Sequence, residues 1–135
     1  MEAEKDLADV RSRLLSMEDF DAHAFDHLLE DTTPTTVLRI LARFSQTLHE
    51  SIPALEHSKD AGEVEPIWKT SHKLAGSAAM LGFKGFGEKS KKLSFQLRGS
   101  FALNLHSEEL HGYMREAREL SNHLDKIFSN KNTYL

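Results

Sequence analysis

From Val37 to Leu55 the apolar residues Val37, Leu38, Leu41, Phe44, Leu48, Ile52 and Leu55 recur by threes and fours, with no glycine among them. That spacing gathers them on one stripe of a long helix, and a stripe of this kind has to be covered by other apolar stripes. The same period returns on both sides. Leu7, Val10 and Leu14 mark a short amphipathic helix over about residues 4–16, and Phe20, Phe25, Leu28 and Leu29 mark a second helical piece in "DFDAHAFDHLLED". Strand-type alternation is nowhere sustained. The spacing therefore predicts an all-α chain, an antiparallel four-helix bundle with an additional N-terminal helix. Residues 1–19 form the N-terminal helical segment packing on the bundle, and 20–135 the bundle itself.

The breaks fix the four main helices. Thr33 before Pro34 is an N-cap and first-turn pair, Gly62 marks the end of the long helix, and Pro53 inside it predicts a kink or a weakened turn. The next helix starts near Glu63 to Pro66 and runs to Leu81, with Gly82 as its C-terminal cap. "FKGFG" reads as a turn before a helix from about Gly87 to Leu97. "GSFALNLH" is the next break. The last helix starts behind Ser107 and runs to about Phe128.

The chain has 135 residues and no cysteine, which excludes disulfides and thiolate metal sites. No apolar run approaches the roughly 18 residues of a membrane span, and the acidic start "MEAEKDLADV" is unlike a signal peptide. A soluble cytoplasmic protein is expected, with no membrane contact. Net charge is −4, but from Trp68 to Ser100 seven lysines and arginines face the single acid Glu88, a local +6 that leaves the rest of the chain at −10. A local anionic partner fits that distribution; a nucleic-acid binder, with its whole domain basic, does not.

The segment "SHKLAGSAAMLGF", residues 71–83, lies in this basic third. On a helical wheel Ile67, Leu74, Ala78 and Leu81 form the inward stripe, and His72 points about 160° away from Leu74. Lys69, Gly76, Ala79 and Phe83 share the outward face. Glycine inside a helix costs about 1 kcal/mol against alanine, so a bare backbone one turn from an exposed imidazole calls for a reason. Imidazole is a nucleophile near neutral pH, and phosphoryl transfer needs in-line approach and cations on the phosphoryl oxygens. A side chain at position 76 would block a partner's active site; glycine leaves the way open.

These residues resemble the motif of histidine-containing phosphotransfer (HPt) domains of two-component phosphorelays, roughly His-x-Leu-Lys-Gly-Ser-Ser/Ala-x-x-Leu-Gly. His72, Leu74, Gly76, Ser77, Ala78, Leu81 and Gly82 match it. The resemblance implies a four-helix bundle and a phosphorylated His72 that exchanges phosphate with the aspartate of a response-regulator receiver domain or takes it from a sensor histidine kinase. It implies a phosphohistidine carrier without autokinase activity, with no bound cofactor or metal, since the magnesium belongs to the receiver. A monomer is expected. One departure stands out: the family's lysine three residues after the histidine is Ala75 here. Lys69, Lys73 and Arg98 are candidates to hold the phosphoryl oxygens in its place, with Lys91 a weaker choice. Gly76, Ala79, Phe83, Trp68 and Ala75 are candidates for partner access and docking, and Trp68 and Phe83 are equally readable as half-buried core edges.

Other features carry less. His23 and His27 have metal-chelating spacing but no third ligand at a motif distance, and read as a polar helix edge. "GFKGFG" lacks the strand and lysine-serine ending of a phosphate loop. An alternative function keeps the same bundle: a non-phosphorylated interaction domain that docks and regulates a kinase or receiver. A dimeric phosphotransferase is a weaker third, since the sequence offers no kinase-like second domain.

Overall fold

The computed structural model describes residues 2–99, 107–129, 131 and 134. Six helices follow in order: α1 (Glu2–Leu14), α2 (Ala22–Glu30), α3 (Pro34–Asp60), α4 (Val64–Leu81), α5 (Lys84–Arg98) and α6 (Glu108–Phe128). The four last helices make the bundle; α1 lies on α3, and α2 lies on α4 and α3. Of the expected break "GSFALNLH", residues 100–106 lie outside the described residues.

Local chemistry sets the helix ends. The Asp21 side chain accepts from the Ala24 amide at 3.2 Å, Thr33 from Thr36 at 3.2 Å and Ser107 from Leu110 at 3.3 Å, so three helices start with a side chain satisfying an otherwise orphaned N–H. Pro34 opens α3, which runs unbroken through Pro53. The stripes read from the sequence close over one another: Leu38, Leu41 and Leu48 of α3, Ile67, Leu74 and Leu81 of α4, and Leu110, Met114 and Leu124 of α6 are all buried. Burying each such side chain contributes about 1.5–3 kcal/mol before chain entropy is set against it.

The turn between α4 and α5 differs from the expected one. Only Gly82 and Phe83 separate the two helices, and "KGFG" is already the first turn of α5. Gly82 stops α4 in the left-handed region, φ 97°, and its carbonyl accepts from the Asp21 amide at 2.7 Å. A Cβ there would stand 2.6 Å from the Asp21 carbonyl oxygen, so glycine is required both by conformation and by space. The glycines of "KGFG" serve packing. Gly87 is buried, and a Cβ on it would lie 3.3 Å from the Ala79 nitrogen and 3.5 Å from the Ala75 carbonyl oxygen. That bare backbone, with Ser90 and Ser94 also buried on α5, lets the two helices lie close together.

Candidate phosphotransfer site

The inward stripe of α4 determines what its other face presents. Because Leu74 and Ala78 are buried, His72, Gly76 and Ala79 are driven outward, and all three are exposed. Gly76 has nothing within 4 Å of the position a Cβ would take. The imidazole thus stands on the solid middle of an 18-residue helix, with open space one turn beyond it.

His72 lies on the wall of an open groove of about 900 Å³ between α4 and α5. Ala75, Gly76 and Ala79 border it from α4; Lys84, Lys91 and Arg98 border it from α5. Those three cations are seven residues apart in succession, which keeps them on one face of α5. Asp21 and Glu88 also line the groove. Phe95 completes the α5 wall with 72% of its surface exposed, the most exposed large apolar side chain among the described residues.

Trp68 stands one turn before His72, half-buried against the core. The Arg98 guanidinium carbon lies 5.7 Å from its ring centroid, and the Lys69 ammonium 5.9 Å. Both are within reach of the ring's negative face. Trp68 therefore steadies Arg98 across the α4–α5 seam, at the end of the groove that holds His72. Lys69 is also held 2.5 Å from Glu65, an acid of its own helix.

The residues expected at the site thus separate. His72, Ala75, Gly76, Ala79 and Arg98 come together in one groove. Lys69 is exposed and engaged with Glu65 and Trp68. Lys73 is exposed but faces away, into a second depression between α3 and α4. Phe83 is not on the outward face. It is 3% exposed, stacked on Phe44 at 5.5 Å between centroids and tilted against Phe20 at 6.0 Å. The wheel placed it outward by continuing the phase of α4, but α4 ends at Leu81 and the left-handed Gly82 swings the next residue into the core. Lys84 and Lys91 do line the groove, and their seven-residue spacing with Arg98 was the available signal. At position 75 the alanine is half-buried beside α5, its carbonyl oxygen facing Gly87.

No helix among the described residues is long and apolar enough to cross a membrane. Comparison with curated proteins gave no match, and comparison with solved structures gave none. The family model "Hpt domain" matches residues 39–129, which takes in most of α3, all of α4 and α5, and α6. The chain belongs to the Hpt domain family, whose members carry phosphoryl groups on histidine in two-component systems and interact with receiver domains and kinases.

Proposed function

We propose that this chain is a phosphorelay intermediate in which His72 accepts a phosphoryl group and exchanges it with the aspartate of a response-regulator receiver domain. The carrying observation is the exposed imidazole beside the open backbone of Gly76, in a groove bordered by cations. In the forward step the lone pair of an imidazole nitrogen attacks the phosphorus of the partner's aspartyl phosphate, in line with the P–O bond. The P–N bond forms as that P–O bond breaks, the electron pair leaves on the aspartate carboxylate, and the imidazolium proton passes to solvent. Return transfer reverses these events. Positioning and charge neutralisation do most of the work in such a step.

This chain's contribution is to hold the imidazole on a rigid helix, to leave room for the partner, and to put cations from α5 near the phosphoryl oxygens. Arg98 is the best-placed donor, because Trp68 restrains it and a guanidinium offers fork geometry to phosphate. Lys91 and Lys84 stand behind it along the groove. These α5 residues take over from the lysine that the family motif has where this chain has Ala75. In this reading the chain works as a cytoplasmic monomer, has no autokinase activity, and meets magnesium only in the receiver.

Incubation with a phosphorylated receiver should give an acid-labile, base-stable label that His72→Gln abolishes. Label persisting in that variant would remove His72 from the role. Ala75 favours one second reading, a docking domain that carries no phosphate. Receiver binding by wild type and His72→Gln alike, with no label on either, would select it.

A further inference from the structure

The chain has a single tryptophan, Trp68, and two cations meet its ring. They are held differently. Lys69 follows it on α4, 5.9 Å from the ring centroid, and its ammonium is also 2.5 Å from the Glu65 carboxylate. The Arg98 guanidinium reaches the ring from α5, 5.7 Å from the centroid, with no acidic side chain within ion-pair distance among the described residues. Arg98 is the last residue of α5 and is exposed, and the exposed Gly99 after it has no side chain to hem in the stem. Arg98 also lines the groove that holds His72, whereas Trp68 does not. The guanidinium therefore stands at the end of that groove, resting on a ring that lies outside it.

Trp68 and His72 are four residues apart on α4, about 6 Å along the axis and about 40° around it. A swing of the Arg98 stem thus carries the guanidinium from the indole toward whatever His72 holds. The two resting places differ in strength. A cation on an exposed aromatic face is weakly held. A guanidinium on a phosphoryl group makes charge-assisted, bidentate hydrogen bonds. A phosphoryl group on His72 gains those bonds only in the swung position, so its arrival shifts the balance toward that position. We infer that Arg98 exchanges partners: it lies on the Trp68 indole while His72 is bare, and moves onto the phosphoryl oxygens when His72 is phosphorylated. Trp68 is then a positioning residue. It keeps the cation ordered and clear of the groove until the phosphoryl group comes, and its indole senses the state of His72. The inference rests on the phosphotransfer reading above.

The test uses the full chain and phosphoramidate as donor. A His72 ring nitrogen attacks phosphorus, the donor's P–N bond breaks, its already protonated amine leaves as ammonia, and the imidazole proton passes to solvent. Bare wild type and bare Arg98→Gln should differ in tryptophan emission, since the variant has lost the cation from α5. Phosphorylation should move wild-type emission toward that of Arg98→Gln and leave Arg98→Gln nearly unchanged. By phosphorus NMR the phosphoryl group of Arg98→Gln should protonate at a higher pH than that of wild type, because no guanidinium favours its dianion. Trp68→Leu should label about threefold more slowly than wild type, and Trp68→Phe, which keeps an aromatic face, at close to the wild-type rate. On labelled wild type, unchanged emission would overturn the exchange and leave His72 as the carrier, as would coincident phosphorus titrations of wild type and Arg98→Gln. Equal labelling rates in Trp68→Leu and Trp68→Phe would overturn the positioning role. No label on wild type would sink the carrier reading, and this inference with it.

Discussion

On the α1 side of the molecule charged groups meet one another; on the flanks of the exposed α4 ridge beyond the Lys69–Glu65 pair most of them do not. Arg11 grips Asp26 through two bonds of 2.8 Å, Lys131 reaches Asp9 at 3.0 Å, and the Tyr134 hydroxyl donates to Asp6 at 2.7 Å. These contacts fasten α1 to α2 and to the chain beyond α6. Around His72 the side chains are small, the glycine has open space, and six cations on the two flanks have no acidic side chain within ion-pair distance among the described residues: Arg39, Arg43, Lys73, Lys84, Lys91 and Arg98. Charges that answer each other hold the fold, whereas charges left unanswered on a bare ridge suit a visitor. The difference is one of use rather than of composition, since both regions are rich in charged residues.

The sharpest way to break this contrast is to exchange the properties of neighbouring positions on α4. Gly76→Leu adds bulk where nothing stands within 4 Å, so the fold should keep its stability or gain up to about 1 kcal/mol from helix propensity. Transfer from a receiver should fall about a hundredfold or more, because the partner's aspartate is displaced from the imidazole. Leu74→Ala, two residues away and 1% exposed, should do the reverse. It should cost about 2–5 kcal/mol in denaturant unfolding and leave transfer by the folded fraction near normal. If Gly76→Leu transfers at the wild-type rate, the open backbone has no role in access.

Gly82 sets a smaller effect between the two. Gly82→Ala should destabilise by about 1–3 kcal/mol, because the residue is held at φ 97° and a Cβ meets the Asp21 carbonyl oxygen. Thermal unfolding checks the magnitude. Gly76→Ala is the control: identical chemistry at an open helical position should show no loss.

These two glycines also show how far the sequence could be read. Periodicity disclosed the helices, and the Thr33–Pro34, Gly82 and Ser107 signals placed three of their ends, because each depends on one residue's own backbone or side chain. Phase along α4 likewise exposed His72 and Gly76 and buried Leu74. What escaped depends on the neighbouring helix. Gly85 and Gly87 look like turn residues until α4 is seen pressed against Gly87, so the sequence pattern puts the start of α5 several residues late. A wheel carried on past Gly82 turns Phe83 outward, but that left-handed residue resets the phase. Lys73 looked close to His72 in sequence, but one residue is about 100° of helix, enough to place it in the other groove. Arg39 and Arg43 lie some thirty residues before the motif, and only the packing of α3 on α4 brings them beside it.

The smallest expected effect tests the fastened side alone. Hydrogen bonding from Arg11, ahead of its charge, holds the Asp26 carboxyl below its ordinary 3.8. Asp9 is lowered likewise, by Lys131 first. A folded-state value below the unfolded one means the contribution is present above about pH 4 and is lost as the pH falls and the carboxyl protonates. Tyr134 has the opposite sign. Its bond to Asp6 favours the neutral phenol and pushes its pKa up to about 12, so that contribution holds below about pH 10 and disappears as the pH climbs through 12. The protection factors of the α1 amides, which take out the intrinsic pH dependence of exchange, should therefore fall at both extremes, while those of Leu74 and Ala78 stay tied to global unfolding. Asp26→Asn should remove Asp26's share of the acid-side change and leave that of Asp9, at a small cost in stability, since the pair is partly solvent-exposed. Tyr134→Phe should remove the alkaline one. Should the α1 protection factors stay level from the acid to the alkaline end, its ion pairs hold nothing, and the contrast between answered and unanswered charge reduces to packing alone.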